Sequence, residues 1–291
     1  MIFNRKFTEK AFAKINLYLD VTSKRSDGFH DIKSIMQSVS LFDDITVSLS
    51  ESCEDIITCN IEGIPTDERN LAIKAADAFR SAVGLTFGVN IHIEKRIPAS
   101  AGLAGGSTDA AAVLRLLKKL TESDIPTDEM LKIAASIGAD VPFCYIGGTM
   151  LCEGKGELLR GIPACPKMHL VVAIKGEGVS TPWAYGELDA RYGDFAEERD
   201  KGSFHALYCA LEDNDKKRII KNLYNIFESV TEPERPEIGK LKEIMTAHGA
   251  KSTLMSGSGP SVFGIFEDEE PAHTAEKSLI EYGAKAHYCT I

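Results

Sequence analysis

The segment that most constrains this chain is Pro98-Ala-Ser-Ala-Gly-Leu-Ala-Gly-Gly-Ser-Thr108, followed directly by Asp109-Ala-Ala-Ala. It comes after an alternating apolar run, Val89–Glu94, and opens an Ala-rich stretch of helical spacing, Thr108–Leu120. Strand, glycine-rich loop and helix N-terminus in succession make an anion cradle. Small residues let backbone N–H groups approach a phosphate, and the helix dipole favours negative charge there. No lysine follows Gly106, so the loop is not a Walker A motif, and its spacing is not that of a dinucleotide fingerprint. The same residues also read as a capped helix with a flexible entry, because Ser107 and Thr108 are good N-cap residues.

Around this loop the first half of the chain alternates strand and helix signals. In Ala11–Leu19, Ala11, Ala13, Ile15, Leu17 and Leu19 fall on one face, with Phe12, Lys14, Asn16 and Tyr18 on the other. Ile45, Val47 and Leu49 repeat that alternation. Helices are expected at Arg69–Val83, stopped by Gly84, and at Thr127–Ile137, stopped by Gly138. The second half reads differently: strand Leu170–Ile174, helix Glu237–His248, strands Ser252–Met255 and Val262–Phe266, helix Pro271–Tyr282, strand Ala284–Cys289. That is the βαββαβ order of a ferredoxin-like unit. Residues 177–236 read as irregular and partly helical. A length of 291 residues suits two domains, with the boundary expected near residue 160, giving 1–160 and 161–291.

Charge narrows the function classes. Lys+Arg 33 against Asp+Glu 43 leaves −10, so a nucleic-acid binder relying on a dense basic surface is excluded. The longest clean apolar run, Leu170–Ile174, is far short of a membrane span, and Met1–Lys10 has no apolar core of a secretory signal. Seven cysteines without a CxxC pair suit reduced thiols, and the expected location is the cytoplasm. The expected partner is a small molecule, with the chain monomeric or weakly dimeric. No His/Cys grouping has zinc spacing, so any metal is expected to be Mg²⁺, brought by nucleotide phosphates and a hydroxyl such as Ser107.

Other residues admit two readings each. Lys14, mid-strand on the polar face, is by spacing alone a solvated lysine. Asp140, in Gly138-Ala-Asp-Val-Pro-Phe143, is either a turn former or an acid/base group. Were the two to converge on a phosphate loop, they would form a phosphoryl-transfer pair. Ser256-Gly-Ser-Gly-Pro-Ser261 is either a plain turn between strands or a loop abutting the glycine loop. Asp27-Gly-Phe-His30 sets an aromatic beside an imidazole in a turn, able to stack on a base and bond its edge, or simply to anchor the turn.

Taken together, Pro98–Asp109, Gly138–Phe143 and Ser256–Ser261 resemble, in order and spacing, the motifs of the GHMP kinases. Ala13-Lys-Ile-Asn-Leu17 and Arg25-Ser-Asp-Gly-Phe-His30 resemble the branch that phosphorylates 4-diphosphocytidyl-2-C-methyl-D-erythritol in the methylerythritol phosphate route to isoprenoids. The resemblance spans residues 10–267. It implies an α+β fold of two domains, ribosomal-protein-S5-like and then ferredoxin-like. It also implies transfer of a phosphoryl group from ATP, with Mg²⁺, to the 2-hydroxyl of the methylerythritol moiety. ATP would then lie along Pro98, Ala99, Ser100, Ala101, Gly102, Leu103, Ala104, Gly105, Gly106, Ser107 and Thr108, with Lys95 near the adenine. Asp140 would be the general base, with Lys14 beside it. Asn16 and Thr181 would contact the acceptor, His30 would recognise cytosine, and Phe29 with Tyr185 (or Trp183) would sandwich the ring.

Two positions depart from the family pattern. The loop usually has Gly where Ala104 stands, and an alanine accepted there predicts a negative φ. Tyr is commoner at Phe29, whose ring stacks but lacks a hydroxyl. A homoserine- or mevalonate-type kinase would have no use for Phe29 and His30, and a sensor that had lost catalysis would have no use for Lys14 with Asp140.

Overall fold

A computed structural model describes residues 1, 3, 5–193, 195 and 204–291. The chain opens with two long strands, β1 (Lys6–Lys24) and β2 (His30–Ser50), then β3 (Ile56–Cys59). Helix α1 (Leu71–Val83) starts where the Asn70 side chain accepts the Ala72 N–H and ends at Gly84 in the left-handed region. Strand β4 (Gly88–Glu94) leads through the glycine loop into α2 (Gly105–Thr121). This helix begins three residues before the expected Thr108, so Ser107 and Thr108 lie inside its first turn and Ala104 is the N-cap. There follow α3 (Thr127–Ile137), α4 (Val141–Ile146), β5 (Thr149–Glu153), β6 (Leu158–Gly161) and β7 (His169–Ile174).

The stretch read as irregular contains α5 (Thr181–Tyr192), α6 (Phe204–Glu212), α7 (Lys216–Lys221), the short β8 (Tyr224–Asn225) and α8 (Glu228–Glu234). Residues 194 and 196–203 of that stretch lie outside the described residues. The chain finishes with α9 (Pro236–Ala247), β9 (Ser252–Met255), β10 (Val262–Phe266), α10 (Glu269–Glu281) and β11 (Lys285–Thr290). Helix α10 takes in two residues ahead of the expected Pro271, because proline fits a first helical turn, where its missing N–H has no bond to break.

Two units share the chain. The first gathers Met1–Ala13, Phe42–Ile97 and Ala104–Gly147; the second gathers Lys14–Leu41, Pro98–Leu103 and Gly148–Ile291. In the first, β2 runs antiparallel to β4 with Ile45 opposite Ile93 and Val47 opposite Ile91, and β3 pairs in parallel with β4. Helix α1 packs on α2 and α3, and α2 on α4. The Ala-rich α2 is apolar nearly all round, with Ala110–Leu114, Leu116, Leu117 and Leu120 buried, as a core helix must be.

In the second unit, β7, β9, β10 and β11 form an antiparallel sheet in the order β11-β7-β10-β9. All five residues of β10 are buried, and α9 and α10 pack on this sheet. With the two helices the order is the βαββαβ one read from the sequence. The same unit holds the second part of β1, the first part of β2 with β5 antiparallel to it, and β8 parallel to β1.

Candidate active site

Lys14 opens the second unit, and the structure corrects its reading as a solvated residue: it is 4% exposed. Through the middle of β1 both faces are buried, so the alternation of residue types there marks two kinds of interior rather than inside and outside. The Lys14 Nζ donates to Asn16 Oδ1 at 2.8 Å. That oxygen also accepts the Gly257 N–H at 3.0 Å, while Asn16 Nδ2 donates to Ser34 Oγ and Ser34 Oγ to the Tyr18 carbonyl. The amide of Asn16 is therefore fixed, oxygen toward the lysine. Among the described residues no carboxylate lies within ion-pairing distance of Lys14. A buried ammonium facing only a neutral amide is an open positive charge, costly until an anion arrives.

Two loops of this unit meet beside Lys14. Its backbone N–H donates to the Leu103 carbonyl at 3.2 Å, and Ser256 Oγ donates to the Gly102 carbonyl at 2.9 Å. The 256–261 loop thus abuts the front of the glycine loop, rather than forming only a turn. Gly102 has φ +75, and a Cβ there would stand 2.1 Å from the Ser256 carbonyl oxygen, so no other residue fits. Ser100, Gly102 and Ala104 are all left-handed. Ala104 has φ +57, which overturns the negative value expected of an alanine in the loop. Ala104 takes a conformation that glycine adopts without strain, and the backbone carries the cost, about 1–2 kcal/mol for a left-handed L-residue.

In the first unit the α2 N-terminus follows. Gly105, Gly106 and Ser107 present its first N–H groups; Thr108 spends its hydroxyl on the Phe12 carbonyl at 2.7 Å, whereas Ser107 Oγ makes no hydrogen bond among the described residues. Beneath this turn Lys95 is 5% exposed and pairs with Asp43 and, at 2.8 Å, with Asp109. A Cβ on Gly105 would come 2.9 Å from Lys95 Nζ. Burial opposes the Lys95 charge, but the Asp109 and Asp43 carboxylates hold its ammonium above the usual lysine range. Two carboxylates compete for one cation. Burial pushes Asp109 up to about 7, with Lys95 pulling it down and Asp43 adding to the rise. Asp43 Oδ1 also accepts the Ile97 N–H at 2.8 Å, which fixes the chain as it leaves β4. The ammonium expected near the adenine is thus bound in a buried triad. Asp43 and Asp109 were not foreseen in it: β2 and α2 carry them, 66 positions apart, and no local spacing joins them.

Asp140 is in the same unit, as the N-cap of α4, half-buried. Its side chain caps nothing, and its carboxylate makes no hydrogen bond or ion pair among the described residues. The turn-forming role is therefore not what holds it there. Pro98, Ala99, Ser100, Ala101 and Leu103 belong to the unit of Lys14, and Ala104 onward to that of Asp140.

A third cluster, within the second unit, surrounds His30. Its Nε2 lies 2.7 Å from Asp189 Oδ1, and Lys24 Nζ binds Asp189 Oδ2 at 2.6 Å. The Tyr185 ring stacks on the imidazole, centroids 4.6 Å apart and planes within 19°, while Phe195 meets it edge-on at 5.6 Å. Tyr185, not Trp183, is thus the aromatic of α5 that faces His30. Phe29 is 58% exposed, with Lys155 Nζ 4.8 Å from its ring centroid. Thr181, at the start of α5, shares a hydrogen bond with Ser258 at 3.1 Å. Asp189 escaped the sequence reading, although its signal was present: it follows Tyr185 by four residues, which puts both on one helical face.

Comparison with known proteins identifies the family. Residues 70–148 match the GHMP kinases N terminal domain, and residues 207–285 match the GHMP kinases C terminal family. A curated relative from Caldicellulosiruptor saccharolyticus, 4-diphosphocytidyl-2-C-methyl-D-erythritol kinase, is 46% identical over 93% of this chain and 91% of its own length. The enzyme of the same name from Clostridium perfringens is 42% identical over 93% of this chain and 92% of its own. A crystal structure of 4-(cytidine 5'-diphospho)-2C-methyl-D-erythritol kinase superposes with a TM-score of 0.80 at 32% identity, covering 98% of each chain. Homoserine kinase from Cytophaga hutchinsonii shares the fold alone, with a TM-score of 0.75 at 18% identity over 100% of this chain and 96% of its own. No helix among the described residues is long and apolar enough to cross a membrane. The chain belongs to the GHMP kinases and, within them, to the family of 4-diphosphocytidyl-2-C-methyl-D-erythritol kinases.

Proposed function

We propose that this kinase transfers the γ-phosphoryl group of ATP to the 2-hydroxyl of 4-diphosphocytidyl-2-C-methyl-D-erythritol. The observation that carries the reading is the buried Lys14 ammonium, oriented by Asn16 and left without a carboxylate beside a glycine-rich loop. Such a charge suits a reaction whose negative charge moves from one phosphate oxygen to another.

In this reading the N–H groups of residues 98–108 and the α2 dipole hold the phosphates. Lys95, with Asp43 and Asp109, supports that turn from below. Asp140, whose carboxylate is uncommitted, takes the proton of the acceptor hydroxyl as its oxygen bonds to the γ-phosphorus. The bond from that phosphorus to the β-bridging oxygen breaks, and ADP leaves with the electron pair. Lys14 stabilises the charge on the transferring group, and Asn16 and Thr181 orient the acceptor. His30, Phe29 and Tyr185 take the cytosine.

Among the described residues no cluster of three or more His, Cys, Asp or Glu side chains could hold a metal by itself, so a divalent cation here would arrive with the nucleotide. Mg²⁺ retains several waters and is held chiefly by nucleotide phosphates, so one protein oxygen suffices, and the unbonded Ser107 Oγ is the available one. When bound it would neutralise phosphate charge. In this reading residues 1–160, which carry the glycine loop, form the ATP-binding domain, and residues 161–291 form the ferredoxin-like domain.

The test is ADP release with Mg-ATP and a set of acceptors: the cytidine diphosphate derivative of methylerythritol, methylerythritol phosphate without cytidine, mevalonate and homoserine. Turnover confined to the first is expected. Equal turnover with mevalonate or homoserine would overturn the substrate assignment.

A further inference from the structure

We infer that Asp189 is a positioning residue that sets the tautomer of His30, so that the pocket selects a base carrying an amino group, cytosine over uracil. The inference rests on the cytidine reading above.

An ionised carboxylate offers only acceptors, so the 2.7 Å contact from Asp189 Oδ1 requires that His30 Nε2 carry the proton. In the neutral ring Nδ1 then keeps its lone pair. Lys24 closes on the other carboxylate oxygen at 2.6 Å, which fixes Asp189 from the opposite side. Although burial works against its charge, hydrogen bonds from Lys24 and His30 hold the Asp189 carboxyl below the ordinary range. The face of the imidazole is set by Tyr185 and its edge by Phe195, so the ring has little freedom to turn.

Nδ1 makes no hydrogen bond among the described residues. The buried side-chain polar atoms without a partner there are Asp109 Oδ1 and Ser261 Oγ, so His30 Nδ1 is not sealed in. What the pocket offers is an acceptor. The pyrimidine edge differs at that point: cytosine presents an N4 amino donor, where uracil and thymine present an O4 acceptor. A lone pair on Nδ1 accepts from the first and faces a second lone pair on the other, and a buried acceptor left unpaired is expensive.

Two substitutions separate the roles. Asp189→Asn retains size but can present either an oxygen or an NH₂ to Nε2, so the tautomer is no longer dictated. Asp189→Glu keeps the carboxylate. The full-length ¹⁵N-labelled protein would be examined by long-range proton–nitrogen correlation for the His30 ring, and its binding of CDP and UDP measured by calorimetry. The expected wild type has His30 protonated at Nε2 and prefers CDP by about 10-fold or more. Asp189→Asn is expected to populate the Nδ1–H form and lose most of that preference, and Asp189→Glu to retain a preference. A wild-type His30 protonated at Nδ1 alone would overturn the inference. So would a CDP preference that survives Asp189→Asn unchanged, with the cytidine reading left standing. Equal binding of CDP and UDP by the wild type would overturn the cytidine reading itself, and the selectivity inference with it.

Discussion

Gly102 and Ala104 share a backbone handedness, φ +75 and +57, yet the structure predicts opposite responses to exchanging Gly and Ala at them. Gly102→Ala adds a Cβ 2.1 Å from the Ser256 carbonyl oxygen and 3.0 Å from its carbon. These are backbone atoms and cannot rotate away. The left-handed alanine costs about 1–2 kcal/mol. Moving the 256–261 loop aside also strains the Ser256 Oγ to Gly102 bond, worth about 1 kcal/mol. The expected loss is therefore about 2–3 kcal/mol, with a raised KM for ATP because the loop is displaced. Ala104→Gly removes the same left-handed cost of about 1–2 kcal/mol, offset by about 0.4–1 kcal/mol of extra freedom in the unfolded chain, for a net gain of up to about 1.5 kcal/mol. Urea denaturation of both variants beside the wild type, read by circular dichroism, measures the two shifts. A Gly102→Ala protein as stable as the wild type would refute the steric reasoning, and an Ala104→Gly protein that loses stability would refute the strain assigned to the alanine.

Asp140→Asn should lower kcat by about 10²–10⁴ while ATP affinity, read by nucleotide titration, stays nearly normal; an equal loss of affinity would remove the general-base role. Lys14→Met should likewise act on kcat, since it removes a charge that matters most as the phosphoryl group moves. For Asp109 the sign follows from a folded carboxyl raised to about 7 above its ordinary acidic value. Its contribution to stability is complete below the unfolded pKa, near 4, and is lost as pH rises through about 7. Asp109→Asn should therefore flatten the fall in Tm across that window, and an unchanged slope in thermal melts from pH 4 to 8 would contradict it.

The legible parts of the sequence were those where one physical rule acts locally. The βαββαβ order of the second half followed from short apolar strands and punctuating glycines, and β9 and β10 have the expected ends. The glycine loop stood out because small residues between a strand and a helix have few other uses. Spacing alone took Lys14 for a solvated lysine because periodicity separates faces, not exposures: the polar face of β1 is buried as well, and Asn16 and Ser34 line it. The start of α2 was missed because Gly105 and Gly106 are poor helix formers that the loop's function places there. The Lys95–Asp43–Asp109 triad joins residues from β2, from just after β4 and from α2 that no pattern of spacing connects, and the pairing of Asp189 with His30 crosses 159 positions, although the place of Asp189 one turn after Tyr185 was legible.

The central claim is transfer of phosphate from ATP to one hydroxyl of a cytidine-bearing acceptor. Phosphorus NMR of a reaction of the wild-type protein, Mg-ATP and 4-diphosphocytidyl-2-C-methyl-D-erythritol tests it most directly. The account predicts one new monophosphate resonance, coupled to the methylerythritol carbon at position 2, growing in step with ADP. ATP consumed with only inorganic phosphate formed, or a phosphate attached to a different hydroxyl, would contradict it.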